Sequence, residues 1–159
     1  MSKYTKPEDF IERTKQNLIL YLEQKDKNYE FEVTQILNSF LGIIILPFEK
    51  QMTVTWTTVI PDDLQRKMTP LPPHKQPSTL GELCEELRNT VAHINFLTDI
   101  ILNETERIEK LTFKNYRMGT TILKFEMILS IEDILKIFNM ICSELKIPGE
   151  PISLLPIKV

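Results

Sequence analysis

Histidine, cysteine and tryptophan are nearly missing from this chain: two, two and one in 159 residues. Each scarcity excludes something. Cys84 and Cys142 stand far apart, with neither a CxxC pair nor a histidine-rich partner beside them, so no zinc site and no other cofactor is expected. Both fall on apolar helical stripes and read as buried thiols in a reducing compartment. With only four glycines, and with the ten prolines clustered, most of the chain should be regular structure. A surplus of positive charge is lacking too. Nineteen basic against 22 acidic side chains leave a net charge of -3, which argues against an extended basic groove for long nucleic acid. A small site gripping one or two phosphates stays open. The longest apolar run, Leu41 to Pro47, is too short to span a bilayer, and Met1 to Lys6 lack the apolar stretch of a signal peptide. A cytoplasmic protein with no membrane partner is the expectation. Neither an internal repeat nor a low-complexity segment is visible.

Hydrophobic spacing fills the rest of the picture. Thr5-Lys6-Pro7-Glu8 reads as a capping box opening a helix with Phe10, Ile11, Thr14, Leu18, Tyr21 and Leu22 on one face. Lys25 to Asn28 end it. A second helix starts near Tyr29, with Val33, Ile36, Leu37, Phe40, Leu41, Ile44 and Ile45 at helical spacing. Its last turns are apolar nearly all round, which predicts the central helix of a bundle, stopped by Pro47. Residues 47 to 78 hold six of the ten prolines and form a long connection, either functional or mobile, or simply a packed crossover. Met52 to Ile60 within it suits a short strand or an extended packing segment. Ser78 and Thr79 with Glu82 give another capping box, followed by the stripe Leu80, Leu83, Cys84, Leu87, Val91 and Ile94. Beyond it the period becomes two. Leu111 and Phe113, then Leu123, Phe125, Met127 and Leu129, alternate with polar neighbours and predict an antiparallel hairpin around Met118-Gly119. A third strand is expected within Phe96 to Leu102. Ser130 caps a last helix with Ile131, Ile134, Leu135, Phe138, Ile141, Cys142 and Leu145 inward, ending at Pro148-Gly149. The fold class is mainly α with a small antiparallel β insertion before the last helix. A single domain over 1–159 is expected, its core at 9–145 and an irregular tail at 148–159.

One turn stands out chemically. Arg88-Asn89-Thr90-Val91-Ala92-His93 brings a permanent cation, a carboxamide and one of the two histidines within roughly a turn and a half of helix. Arginine offers a fork that matches phosphate oxygens, and histidine exchanges protons near neutrality. Asn89 and His93, four apart, lie about 40° from each other and away from the core stripe. Arg88 projects from the flank, about 140° from His93 in a regular helix. Attack of a ribose 2′-hydroxyl on the adjacent phosphate needs a base, an acid at the leaving 5′-oxygen and positive charge between them. One histidine per chain falls short of that. Two motif helices packed across a two-fold axis would supply two histidines, two arginines and two asparagines to one cleft. The plain alternative is a helix-end histidine and a surface arginine in exposed ion pairs with Glu85 or Glu86.

Arg88-Asn89-x-x-x-His93 resembles the R-N-x-x-x-H motif of the HEPN superfamily. Phe10 to Thr14 and Glu32 to Ser39, followed by Gly42, resemble the first two helices of a prokaryotic, often plasmid- or defence-island-borne HEPN family. The hairpin and final helix are similar to that group as well, so the likeness spans residues 9 to 145. It implies a HEPN-like up-and-down helical bundle, a homodimer with composite active sites and metal-independent endoribonuclease activity. It further implies that Arg88 and His93 are catalytic and that Asn89 supports them. Relatives act as toxins or anti-phage effectors, so an antitoxin or regulatory partner joins RNA among the expected partners. A non-catalytic helical dimer that binds nucleotide or a protein is the alternative. Many relatives carry glycine just after the motif histidine. Here Ile94-Asn95 follow, and Asn95 is suited to the left-handed helix cap one residue later.

Remaining polar residues have two readings each. His74, in Pro72-Pro73-His74-Lys75, reads as a surface residue rather than a second catalytic histidine. Arg66, Lys67 and Lys75 are candidate RNA-phosphate contacts or ordinary solvated charge. Lys114, Arg117 and Lys124, with Tyr116, make a second candidate RNA-facing patch on the hairpin. Tyr116 is also the nearest acceptor should a partner nucleotidyltransferase modify the site. Trp56 would stack on a base or anchor packing.

Overall fold

Helix starts follow side chains able to answer unpaired amides. The structure, a computed structural model, describes residues 6–23, 32–49, 56–70, 75–92, 100–102, 108–117 and 119–153. Helix α1 (Pro7–Glu23) opens with the Lys6 amide donating to Asp9 Oδ2 at 3.1 Å. The returning carboxylate is therefore Asp9, one residue later than the expected Glu8, while Thr5 lies outside the described residues. Helix α2 (Glu32–Glu49) runs through Pro47 rather than stopping there. That proline sits in the final turn, where its missing N–H forfeits a single intrahelical bond. Between α1 and α2, Gly42 allows close approach: a Cβ there would meet two atoms of the Phe10 ring at 3.4 Å. The short helix α3 (Asp62–Gln65) and strand β1 (Met68–Pro70) occupy the long connection, followed by helix α4 (Leu80–Ala92). Strands β2 (Ile100–Leu102), β3 (Ile108–Tyr116) and β4 (Leu123–Ser130) lead into helix α5 (Ile131–Glu144).

The sheet has four strands in the order β1-β4-β3-β2, every neighbour antiparallel. The expected hairpin is β3–β4, and the expected third strand is β2. Strand β1 was not foreseen, and it caps the edge beside β4 with Pro70 opposite Phe125, a position where proline forfeits little. Trp56 to Ile60 forms no strand; Val59 makes one isolated bridge to Thr79. Residues 51–55 lie outside the described residues. On the inner face Leu111 pairs with Leu129, Phe113 with Met127 and Asn115 with Phe125, all buried. Helix α2 packs on α1, α4 and α5, α4 lies on β3, and α5 turns back onto β4. The central position foreseen for α2 is the one observed. Trp56 is buried among the core residues, and its carbonyl accepts from the Gly81 amide at 3.1 Å, which makes it a packing anchor.

Helix α5 ends at Glu144, four residues before the expected Pro148. Lys146 adopts a left-handed φ of 54°, and the amides of Lys146 and Ile147 bond back to the carbonyls of Ser143 and Cys142. This C-cap closes the helix before the proline can. The chain beyond is held down: Asn139 exchanges two hydrogen bonds with the backbone of Ile152. The buried ammonium of Lys15, on α1, donates to the carbonyls of Pro148 and Gly149 at 3.1 and 2.9 Å.

Three polar links fasten the described part of the long connection to α5. Thr58 donates to Glu144 through its amide and its hydroxyl. Asp63 pairs with Lys136 at 2.6 Å, and Asp133 pairs with Lys67 at 2.5 Å. Asp133 also completes the α5 capping box with Ser130. Burial pushes the Asp133 carboxyl up, but the bonds from Lys67 and Ser130 and the Lys67 charge more than reverse this, holding it below the ordinary aspartate value. A carboxylate that is more acidic when folded adds stability above its unfolded value, about 4. That contribution disappears as pH falls through the lower folded value. Melting temperature should therefore be steady from about pH 7 to 5 and fall below about 4. Asp133→Asn should cost roughly 1–3 kcal/mol at neutral pH and flatten part of the acid decline. Scanning calorimetry across pH checks both, and an unchanged neutral melting point in the variant contradicts the account.

Candidate active site

Helix α4 owes its start to Glu82. Its Oε2 accepts from the Ser78 amide (2.8 Å), the Ser78 hydroxyl (3.0 Å) and the Thr79 amide (3.2 Å). The Glu82 amide in turn bonds Thr79 Oγ1. Those bonds, led by the Ser78 amide, hold the Glu82 carboxyl below its usual range. The capping box expected from the sequence is present. Leu80, Leu83, Cys84 and Leu87 are fully buried, and Val91 packs against the same core. They fix the inward side of the helix.

Arg88 and Asn89 leave that core on other sides and are half-buried. Arg88 Nη1 donates to Asn89 Oδ1 at 2.8 Å. The carboxamide thus takes up one edge of the guanidinium and restricts where its remaining donors point. His93, together with His74, Ile94 and Asn95, lies outside the described residues. Thr90, on the same turn, is buried, and its hydroxyl returns to the Glu86 carbonyl at 2.9 Å.

Glu86, like Glu85, was expected as an exposed ion-pair partner of Arg88. Its carboxylate accepts from two other residues. Lys124 Nζ reaches Oε1 and Asn115 Nδ2 reaches Oε2, each at 2.5 Å. Asn115 is 4% exposed, so its amide needs this partner. The sequence reading missed Asn115 and the role of Glu86. Nothing local signals either, because the contact depends on which strand lies over the helix.

The candidate RNA contacts fall into separate places. Lys124 is tied to α4 through Glu86, and Lys114 faces Glu126 across the strand pair at 3.6 Å. Arg117 is exposed where β3 leaves for the turn, in which Gly119 takes a φ of 71°. Arg66 and Lys75 are exposed, and Lys67 pairs with Asp133. Gln76 Nε2 donates to the Gln65 carbonyl at 2.6 Å, setting the Lys75 segment beside the end of α3. That segment leads into the start of α4, eight residues before Arg88, or about 12 Å along the axis. Lys124 is thereby joined to the motif half of α4, and Lys75 lies in the segment leading to its opposite end.

Both thiols are unpaired and buried. Burial pushes Cys84, on α4, far up, and raises Cys142 to about 11 against a small opposing effect of Lys15. Among the described residues no three metal-ligating side chains gather, and none of the helices is long and apolar enough to cross a membrane.

A family model described as HEPN pEK499 p136 matches residues 1–145. No curated protein and no solved structure matches the chain.

Proposed function

The chain belongs to the HEPN pEK499 p136 family, and from that membership we propose that it is a metal-independent endoribonuclease. The observation that supports this reading most is the Arg88–Asn89 contact on α4, a cation oriented by its neighbour four residues before His93. In this reading the helices form a HEPN-like up-and-down bundle with strands β2 to β4 inserted before α5. Two copies pair so that their motif helices share one cleft.

The reaction is transfer of a phosphodiester to the neighbouring 2′-oxygen. One His93 takes the 2′-hydroxyl proton as the 2′-oxygen bonds to phosphorus. The His93 of the other copy gives a proton to the departing 5′-oxygen as its bond to phosphorus breaks. Arg88 carries the charge that builds on the non-bridging oxygens, and Asn89 keeps the guanidinium aimed. Protons balance, and the products are a 2′,3′-cyclic phosphate and a 5′-hydroxyl. Cleavage of host or phage RNA would make the protein a toxin or defence effector, with an antitoxin or other regulatory partner to restrain it. Purified protein should cut labelled RNA in the presence of a chelator, and mass spectrometry should find cyclic phosphate ends. Products with 3′-hydroxyl ends, or intact RNA, would refute the proposal and favour a helical dimer that only binds.

A further inference from the structure

We infer that Glu86 is the positioning residue of the Arg88–Asn89 turn, setting its rotation by tethering α4 to the β3–β4 hairpin through Lys124 and Asn115. The inference rests on the reading of that turn as catalytic.

Three observations converge on one carboxylate. Both of its oxygens are taken, one by each partner, and the two partners sit on adjacent strands. Asn115 is buried, and Lys124 and Glu86 are 27% and 17% exposed at their side chains. The β3–β4 register also shifts between Asn115 and Tyr116. A break in register re-aims side chains beside it, as a bulge does, and here it lies at the residue that reaches Glu86.

Helical geometry turns this tether into a constraint on the motif. Glu86 and Arg88 are two residues apart and point about 160° from each other around the axis. Pinning Glu86 against the hairpin therefore throws Arg88 to the far side. Asn89, about 60° from Glu86, is held on the flank between hairpin and solvent. The Thr90 hydroxyl on the Glu86 carbonyl ties the next turn to the same residue. The Lys124 arm of the cluster adds little stability, because partly exposed ion pairs are weak, and four fully buried apolar residues already anchor α4. What those apolar contacts leave loose is fine rotation, to which a transition-state contact is sensitive.

The test uses full-length Glu86→Gln, Lys124→Ala and Lys124→Arg proteins with a labelled single-stranded oligoribonucleotide. Amide hydrogen exchange over residues 86–92 and melting temperature are recorded alongside. Glu86→Gln and Lys124→Ala should lower kcat by about 10- to 100-fold with KM little changed. Exchange over 88–92 should quicken severalfold while the melting temperature stays near wild type. Lys124→Arg should restore both. Unchanged exchange and kcat, or a melting loss that accounts for the loss of activity, overturns the inference. If the wild type leaves RNA intact, the ribonuclease reading fails, and exchange alone decides whether Glu86 orients the turn.

Discussion

Replacing His93 by alanine should reduce RNA cleavage by about 10³–10⁴-fold while the protein still folds, because in a paired site the change removes acid and base together. Arg88→Ala should cost about 10²–10³-fold in kcat, the scale of one charged group aimed at a developing oxyanion. Arg88→Lys should recover only part of this. Lysine restores the charge but not the planar fork, and it cannot reproduce the geometry in which Nη1 rests on Asn89. Asn89→Ala should be milder, since the carboxamide acts through the guanidinium. In an Arg88→Ala background it should add little further loss, the signature of two residues working as one unit. Single-turnover rates for the five proteins decide the matter. A His93→Ala variant cutting at the wild-type rate would remove the motif from the mechanism.

Where local chemistry decided structure, the sequence was a good guide. Ser78, Thr79 and Glu82 announce the start of α4, and the apolar stripe behind them is the buried one. Alternation in Leu111 to Lys114 and Leu123 to Leu129 announces the hairpin, because one face must be apolar to meet α4 and α5. Failures came wherever a distant partner chose the outcome. Met68 to Pro70 carries too few residues to show a period and becomes a strand only because β4 offers an edge. Lys15 falls on the inward face of α1 and is buried against carbonyls 133 and 134 residues away. The ion-pair partners of Lys67 and Lys124, both candidate RNA contacts, could not be read locally, because each carboxylate lies 66 or 38 residues away. Arg88 and Asn89 were legible as a motif because their contact is between neighbours. The tether behind them was not, since Glu86 meets Asn115 and Lys124 only after the hairpin has folded over the helix.

Phe113→Ala should cost about 3–5 kcal/mol and lower the melting temperature by about 10 °C or more. Phe113 is fully buried on β3, and its ring meets the equally buried ring of Phe40, on α2, edge to face with centroids 6.4 Å apart. That contact joins the central helix to the strand on which α4 rests. Truncating it leaves a ring-sized void at the junction of three elements, and a close-packed core cannot fill such a space without moving backbone. Phe40→Leu keeps most of the apolar volume and should cost about half as much. In the Phe40→Leu and Phe113→Leu cycle, coupling of about 0.5–1.5 kcal/mol should remain, the share owed to the aromatic geometry itself. Denaturant titrations measure each value. Phe113→Ala should also lower cleavage, but in step with the unfolded fraction, and cooling should restore it. Arg88→Ala should show the opposite pattern, with normal melting and an activity loss that cooling does not repair. If Phe113→Ala melted like the wild type, α4 would lack the support that the packing assigns to it, and the Glu86 tether would have to hold the motif turn alone.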